Sequence, residues 1–199
     1  MLRIDGKRGI AVSLDGPQPG ERDPFRAGYD ATMEAALNVA CAGGEPLALT
    51  DCLNFGNPER PEIGWELAQA IDGIAQAAAE LGIPVVSGNV SLYNETGGRP
   101  IPPTPVVGCV GLVRDVTRIP NRWRRGDRVF FLRGEGADLV RHVWQNAHRF
   151  SLATDGSLAD AAAWSGLDVD FAPPAHPGPG VIVAGDPSGW SETIELGTV

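Results

Sequence analysis

The chain has 199 residues, of which 43% are hydrophobic and 21% charged, and a formal net charge of −9. This is the composition of one large globular domain, or of one domain with a small appendix, and it excludes intrinsic disorder. The acidic balance argues against nucleic acid and anionic membranes as partners, though not against a nucleotide, whose phosphates backbone N–H groups commonly hold.

In chain order, the apolar runs Leu2–Ile4 and Ile10–Leu14 flank Asp5-Gly6 and predict strand, turn, strand. The stretch from Pro17 to Arg26 reads as a loop. Asp30 then opens a helix, with Met33, Ala36, Leu37, Ala40 and Cys41 on one face until Gly43-Gly44 stops it. A buried strand follows from Pro46 and ends at Asp51. A second helix over Ile63–Leu81 carries Leu67, Ile71, Ile74, Ala78 and Leu81 as its inner stripe. The next strand, Ile83–Val86, ends in the group Ser87–Ser91, and Pro105–Val113 is a further strand. The alternation makes a mixed α/β domain.

Beyond Arg114 the pattern weakens. Arg122–Arg125 is a basic connector, Val129–Leu132 a strand, Ala137–Asn146 and Leu158–Trp164 weaker helices, Pro173–Pro179 a linker-like run, and Val181–Ala184 a final strand.

Cys41, Cys52 and Cys109 are widely spaced, without metal-ligand spacing. They read as small buried hydrophobes of a reducing compartment. The start MLRIDGKRG has no apolar run, and no stretch reaches membrane-spanning length, so a cytoplasmic chain with no signal peptide and no span is expected. Asn89-Val-Ser91 and Asn94-Glu-Thr96 match the glycosylation pattern, which in such a chain is coincidence.

Two strand ends attract chemistry: Asp51, and Ser87–Ser91. Ligands collect at strand ends. A carboxylate and an amide oxygen suit Mg2+, a glycine admits a phosphate to the backbone, and a serine hydroxyl bonds a substrate oxygen. The alternative is that Asp51 and Asn89 cap turns, and spacing alone favours it. Neither a GxxxxGK[ST] loop nor GxGxxG is present. His142, His148 and His176 read as surface histidines, and the five tryptophans as packing residues. Lys7 is the sole lysine.

Longer segments are more specific. GEPLALTDCLNFGNPERPE (44–62), GIPVVSGNVSLYNET (82–96) and PTPVVGCVGLV (103–113) closely resemble the second synthase half of phosphoribosylformylglycinamidine synthase, and Leu2–Gly6 its first strand. The resemblance implies an aminoimidazole ribonucleotide synthetase-like α/β domain over 1–115, whose strands join a partner's in a barrel, and a reduced C-terminal α/β domain over 116–199. It also implies a reaction. ATP phosphorylates the formamide oxygen of formylglycinamide ribonucleotide, and ammonia from a separate glutaminase displaces phosphate to give the amidine.

Carried over by position, Asp51 and Gly88 contact ATP, Asn89 ligates Mg2+, and Ser91 contacts the substrate. The family's catalytic histidine and ATP-binding lysine belong to its first half, which this chain lacks. No histidine here stands in a matching context. Phe150–Asp160 and Trp190–Val199 match the C-terminal domain loosely. Three functions follow: a ligase half completed by another synthase half or by self-association; a non-catalytic nucleotide-binding or scaffolding paralogue; or aminoimidazole ribonucleotide synthetase-like chemistry, which the 51–58 and 87–96 segments disfavour.

Overall fold

The computed structural model describes residues 1–120, 128–133, 136–148, 151–153, 180–185 and 196–197. Strands β1 (Leu2–Arg3) and β2 (Gly9–Asp15) pair antiparallel. The turn between them is held by Asp5, whose carboxylate accepts from the backbone N–H groups of Lys7 and Arg8 at 2.9 and 2.7 Å.

Helix α1 (Pro24–Cys41) begins ahead of the expected Asp30. Its N-cap is Asp23, which accepts from the N–H groups of Phe25 and Arg26 at 2.9 and 3.3 Å. Pro24 follows in the first turn, where a missing N–H costs nothing. The Pro- and Asp-rich composition that reads as loop is therefore partly a helix start. The buried face is also displaced from the expected stripe. Ala31, Ala35, Ala36, Val39 and Ala40 are buried, while Met33, Leu37 and Cys41 lie half-buried at its margin.

Strand β3 (Glu45–Asn54), helix α2 (Pro61–Leu81) and strand β4 (Val85–Ser91) form a crossover unit. Gly82, left-handed at φ 70°, ends α2. A small hairpin, β5 (Glu95–Thr96) and β6 (Arg99–Pro100), leads to β7 (Thr104–Val113). The five-stranded sheet runs β1-β2-β7-β3-β4. Only β3 and β4 are parallel, which is why a helix must lie between them in the chain.

Helix α1 lies on one face of this sheet, and α2 lies on α1 rather than on β4. Two glycines permit that close approach. A Cβ at Gly28 would overlap the carbonyl of Ala70, and one at Gly73 would overlap the carbonyl of Phe25. The two helices thus meet backbone to backbone. Ile71, expected in the inner stripe of α2, is 44% exposed, because the glycine-lined face around Gly73 and Ile74 is the one that turns inward.

Helix α3 (Gly136–Asn146) adds Leu139, Val140 and Val143 to the same core. Strands β8 (Arg128–Arg133), β9 (Ser151–Ala153), β10 (Gly180–Gly185) and β11 (Leu196–Gly197) form a second, antiparallel sheet ordered β11-β8-β10-β9. The architecture is α/β, as expected. Arg122–Arg125, most of Phe150–Asp160, Leu158–Trp164, Pro173–Pro179, His176, Trp123, Trp164 and Trp190 lie outside the described residues.

Among the described residues, no helix lies on the other face of the first sheet. Val12 and Leu14 of β2 and Val110 of β7 are 56%, 69% and 36% exposed there. Register puts Val12 opposite Val110, so the patch is continuous across two strands.

Two further expectations change. Trp65 on α2 is 58% exposed, so it is not a packing residue, whereas Trp144 packs half-buried against the core. His142 is not a surface histidine: its Nε2 is buried without a hydrogen-bond partner among the described residues, and burial pushes its pKa down.

Candidate nucleotide and substrate site

Asp51, Gly88, Asn89 and Ser91 all lie on β3 and β4, the last two strands of the sheet. They stand within the strands rather than just past their ends. β3 continues beyond Asp51 to Asn54, and Ser87–Ser91 belong to β4 itself. The longer strands follow from pairing. β3 is bonded on both sides, to β7 and β4, so its polar end is held extended despite its turn-like composition.

The parallel register sets Asp51 beside Gly88, Cys52 beside Asn89, and Asn54 beside Ser91. Side chains alternate across a strand. Asp51 and Gly88 therefore share the helix-covered face with Leu49 and Leu53. Asn89 and Ser91 share the bare face. The structure brings the four residues together in two pairs, on opposite faces of the β3–β4 end of the sheet. A ligand that touches all four must pass around the free edge of β4.

Gly88 is required by its neighbour. A Cβ there would stand 2.7 Å from Cγ and 2.8 Å from Oδ2 of Asp51. The carboxylate lies flat over the glycine, half-buried, and among the described residues it makes no hydrogen bond or ion pair. Burial pushes its pKa up, since an unpaired carboxylate removed from water resists ionisation. An unpaired, half-buried carboxylate beside an exposed backbone is suited to a cation or to a cation-bound phosphate.

Asn89 is exposed and its side chain is unengaged among the described residues. Its amide oxygen fits a hard cation such as Mg2+ as one ligand of several. Among the described residues no group of three or more His, Cys, Asp or Glu side chains could hold a metal ion, so Asn89 would need phosphate oxygens, water or another chain to complete the set.

Ser91 is half-buried, and its Oγ contacts the amide of Asn94. The loop amides do structural work. Asn54 donates to the carbonyls of Cys52 and Thr104 at 3.0 and 3.2 Å, and Asn57 accepts from the N–H of Glu59 at 2.9 Å ahead of α2. Asn94 was missed in the sequence, where it reads only as a glycosylation match. The opposed faces were also missed, although parity along β4 separates position 88 from 89 and 91.

The family described as AIR synthase related protein, N-terminal domain, matches residues 1–113. The chain is 59% identical over 142 residues to phosphoribosylformylglycinamidine synthase subunit PurL of Thermomicrobium roseum, covering 70% of this chain and 19% of that protein. It is 45% identical over 151 residues to the PurL subunit of Renibacterium salmoninarum, covering 73% and 20%. The chain thus spans about a fifth of the length of the curated relatives it matches. Among solved structures, Thermotoga maritima PurL complexed with FGAR superimposes with TM-score 0.68 at 25% identity, over 98% of this chain and 34% of that one. The same protein complexed with ATP gives 0.71 at 22% identity, over 98% and 35%, a likeness of fold. The resemblance read from the three sequence segments is borne out.

Proposed function

Because the chain belongs to the AIR synthase related protein family, we propose that it supplies one half of the active site of a phosphoribosylformylglycinamidine synthase, an ATP-dependent carbon–nitrogen ligase of purine biosynthesis. The observation that carries this reading is the unpaired, half-buried Asp51 carboxylate laid over Gly88, within the segments that match the PurL subunits.

In this reading the γ-phosphoryl group of ATP passes to the glycinamide carbonyl oxygen of formylglycinamide ribonucleotide, not to the formamide oxygen, because the amidine product keeps its formyl group, and ADP departs. Ammonia, supplied by a glutaminase subunit, attacks the activated carbon. The C–O bond breaks, phosphate leaves, and the amidine remains. Asp51 and the backbone at Gly88 hold the nucleotide. Asn89 offers its amide oxygen to Mg2+, which when bound neutralises phosphate charge. Ser91 orients the substrate. Positioning and charge neutralisation carry phosphoryl transfer, so what this chain contributes is geometry.

The reading includes a partner. Residues 1–115 form the nucleotide-binding domain and 116–199 a smaller α/β domain. Asn89 and Ser91 share the bare sheet face with the exposed patch of Val12, Leu14 and Val110, so another synthase half, or a second copy, would cover the patch and complete the site in one act. In this reading the catalytic histidine and the ATP-binding lysine come from the first synthase half. The expected setting is the cytoplasm; among the described residues no helix is long and apolar enough to cross a membrane. The second reading is a non-catalytic nucleotide-binding or scaffolding paralogue, which keeps the fold and binds nucleotide without turnover.

Titration calorimetry tests the site. The chain should bind Mg-ATP, and Asn89→Ala should weaken binding by about 1–3 kcal/mol. No binding, or equal binding by the variant, removes the assignment. Ammonia-dependent ADP release by the isolated chain with formylglycinamide ribonucleotide would overturn the need for a partner. Retained binding without turnover when the partner half is added favours the scaffolding reading.

A further inference from the structure

The loops that leave β3 and β4 are stapled to each other. Phe55 donates its N–H to the carbonyl of Ser91 at 3.0 Å, Tyr93 donates to Gly56 at 3.0 Å, and Asn94 donates to Phe55 at 3.1 Å. Tyr93 sits at φ 61°, the one described residue other than glycine with positive φ. Side chains rarely adopt that conformation, and outliers of this kind persist only where the surroundings over-determine them. Here the surroundings are these bonds and the side chain of Asn94, set against Phe55, which is 1% exposed.

The Asn94 amide nitrogen lies 3.1 Å from the Phe55 carbonyl, 2.9 Å from the Ser91 carbonyl and 3.1 Å from Ser91 Oγ. An amide nitrogen has two hydrogens. Two carbonyl oxygens face it and take both, which also fixes the orientation of the amide, because the flipped form would set oxygen against two oxygens. The remaining partner for the serine is Asn94 Oδ1, 3.3 Å from Ser91 Oγ. The hydroxyl proton is therefore directed at Asn94 Oδ1, one lone pair of Oγ faces the Asn94 amide nitrogen at 3.1 Å, and the other is left for a ligand.

We propose that Asn94 is the positioning residue of this site: its amide clasps the ends of β3 and β4 and turns Ser91 Oγ into a hydrogen-bond acceptor for an N–H or O–H group of the substrate. The assignment rests on the proposed role of Ser91 and adds the polarity of the group it meets. A formamide N–H, a glycinamide N–H or a ribose hydroxyl has that polarity. A phosphate or carboxylate oxygen does not.

A double-mutant cycle on the full chain, read by calorimetry with formylglycinamide ribonucleotide and separately with Mg-ATP, tests it. Ser91→Ala and Asn94→Ala should each weaken substrate binding by roughly tenfold, the combination should lose no more than either alone, and nucleotide affinity should stay within about twofold. Additive losses, or undiminished substrate binding by Asn94→Ala, overturn the proposal. Hydrogen exchange supplies a readout that needs no ligand. Asn94→Ala should speed exchange at the Tyr93 and Asn94 backbone amides while Val12 and Val110 stay protected; unchanged exchange overturns the clasp. Should Asn94→Ala fail to fold, Asn94→Ser carries the same two measurements. A chain that binds Mg-ATP but no substrate overturns the acceptor role of Ser91 and leaves the nucleotide assignment standing. A chain that binds neither sinks the proposed function itself, and exchange then still decides the clasp.

Discussion

Gly88→Ala separates the fold from the site, since the atoms nearest an added methyl group all belong to the Asp51 carboxylate. The new Cβ would stand 2.7 Å from Asp51 Cγ, which is too close, so the carboxylate must swing off the glycine. The fold loses little. Alanine in a strand is favoured over glycine by about 0.5–1 kcal/mol. An off-rotamer side chain costs about 0.5–1.5 kcal/mol. The two nearly cancel on an exposed edge strand, and global stability should stay within about 1 kcal/mol of the parent. Binding should change more. A hydrogen bond or contact to a charged group contributes about 1.5–3 kcal/mol, so displacing Asp51 should weaken Mg-ATP binding about 10- to 100-fold. Calorimetry with Mg-ATP and a thermal melt on the same sample measure both quantities. A Gly88→Ala variant that binds Mg-ATP like the parent would refute the role of Asp51. A collapse in stability would show that Gly88 serves the sheet and not the site.

Gly73→Ala should destabilise the chain by about 1–3 kcal/mol despite the gain of about 1 kcal/mol in helix propensity, because the methyl group meets the backbone of Phe25; a higher melting temperature would mean that α1 and α2 do not meet there. Mg-ATP affinity should fall as pH is lowered through the raised pKa of Asp51, since the cation needs the ionised form. The same shift disfavours the folded chain once pH rises above the ordinary value of 3.8, so Asp51→Asn should be more stable than the parent at neutral pH, with the advantage gone in acid; melts across pH check the sign. Tyr29, whose hydroxyl donates to Glu80 at 2.6 Å, should ionise near pH 12, later than a free phenol. The stability from that bond is then complete below pH 10.0 and is lost through about 12, and ultraviolet titration of the parent against Tyr29→Phe reads it. Light scattering should show the parent growing with concentration or with an added partner half, and Leu14→Asp remaining monomeric; a strictly monomeric parent under both conditions counts against the bare face as an interface.

Much of this protein is legible from local pattern. The stripe that ends at Gly82, the apolar run 105–113 and the paired runs at 2–14 each specify an element, because a period of 3.6 or 2 is written into neighbouring residues. The segments around Asp51 and Ser87–Ser91 were likewise enough to name the family and to single out four candidate site residues. What the pattern did not contain depends on residues far apart in the chain. The inner face of α2 turned on Gly28 and Gly73, which meet the backbone of the other helix, so Ile71 was left outside although its spacing was right. β3 ran past Asp51 because β7 and β4 hold it on both sides. The division of the site into Asp51 with Gly88 and Asn89 with Ser91 needed the register between β3 and β4, and the clasp by Asn94 needed two loops to close on each other. Periodicity is a local property of a sequence, whereas register and close approach exist only once the strands and helices have met.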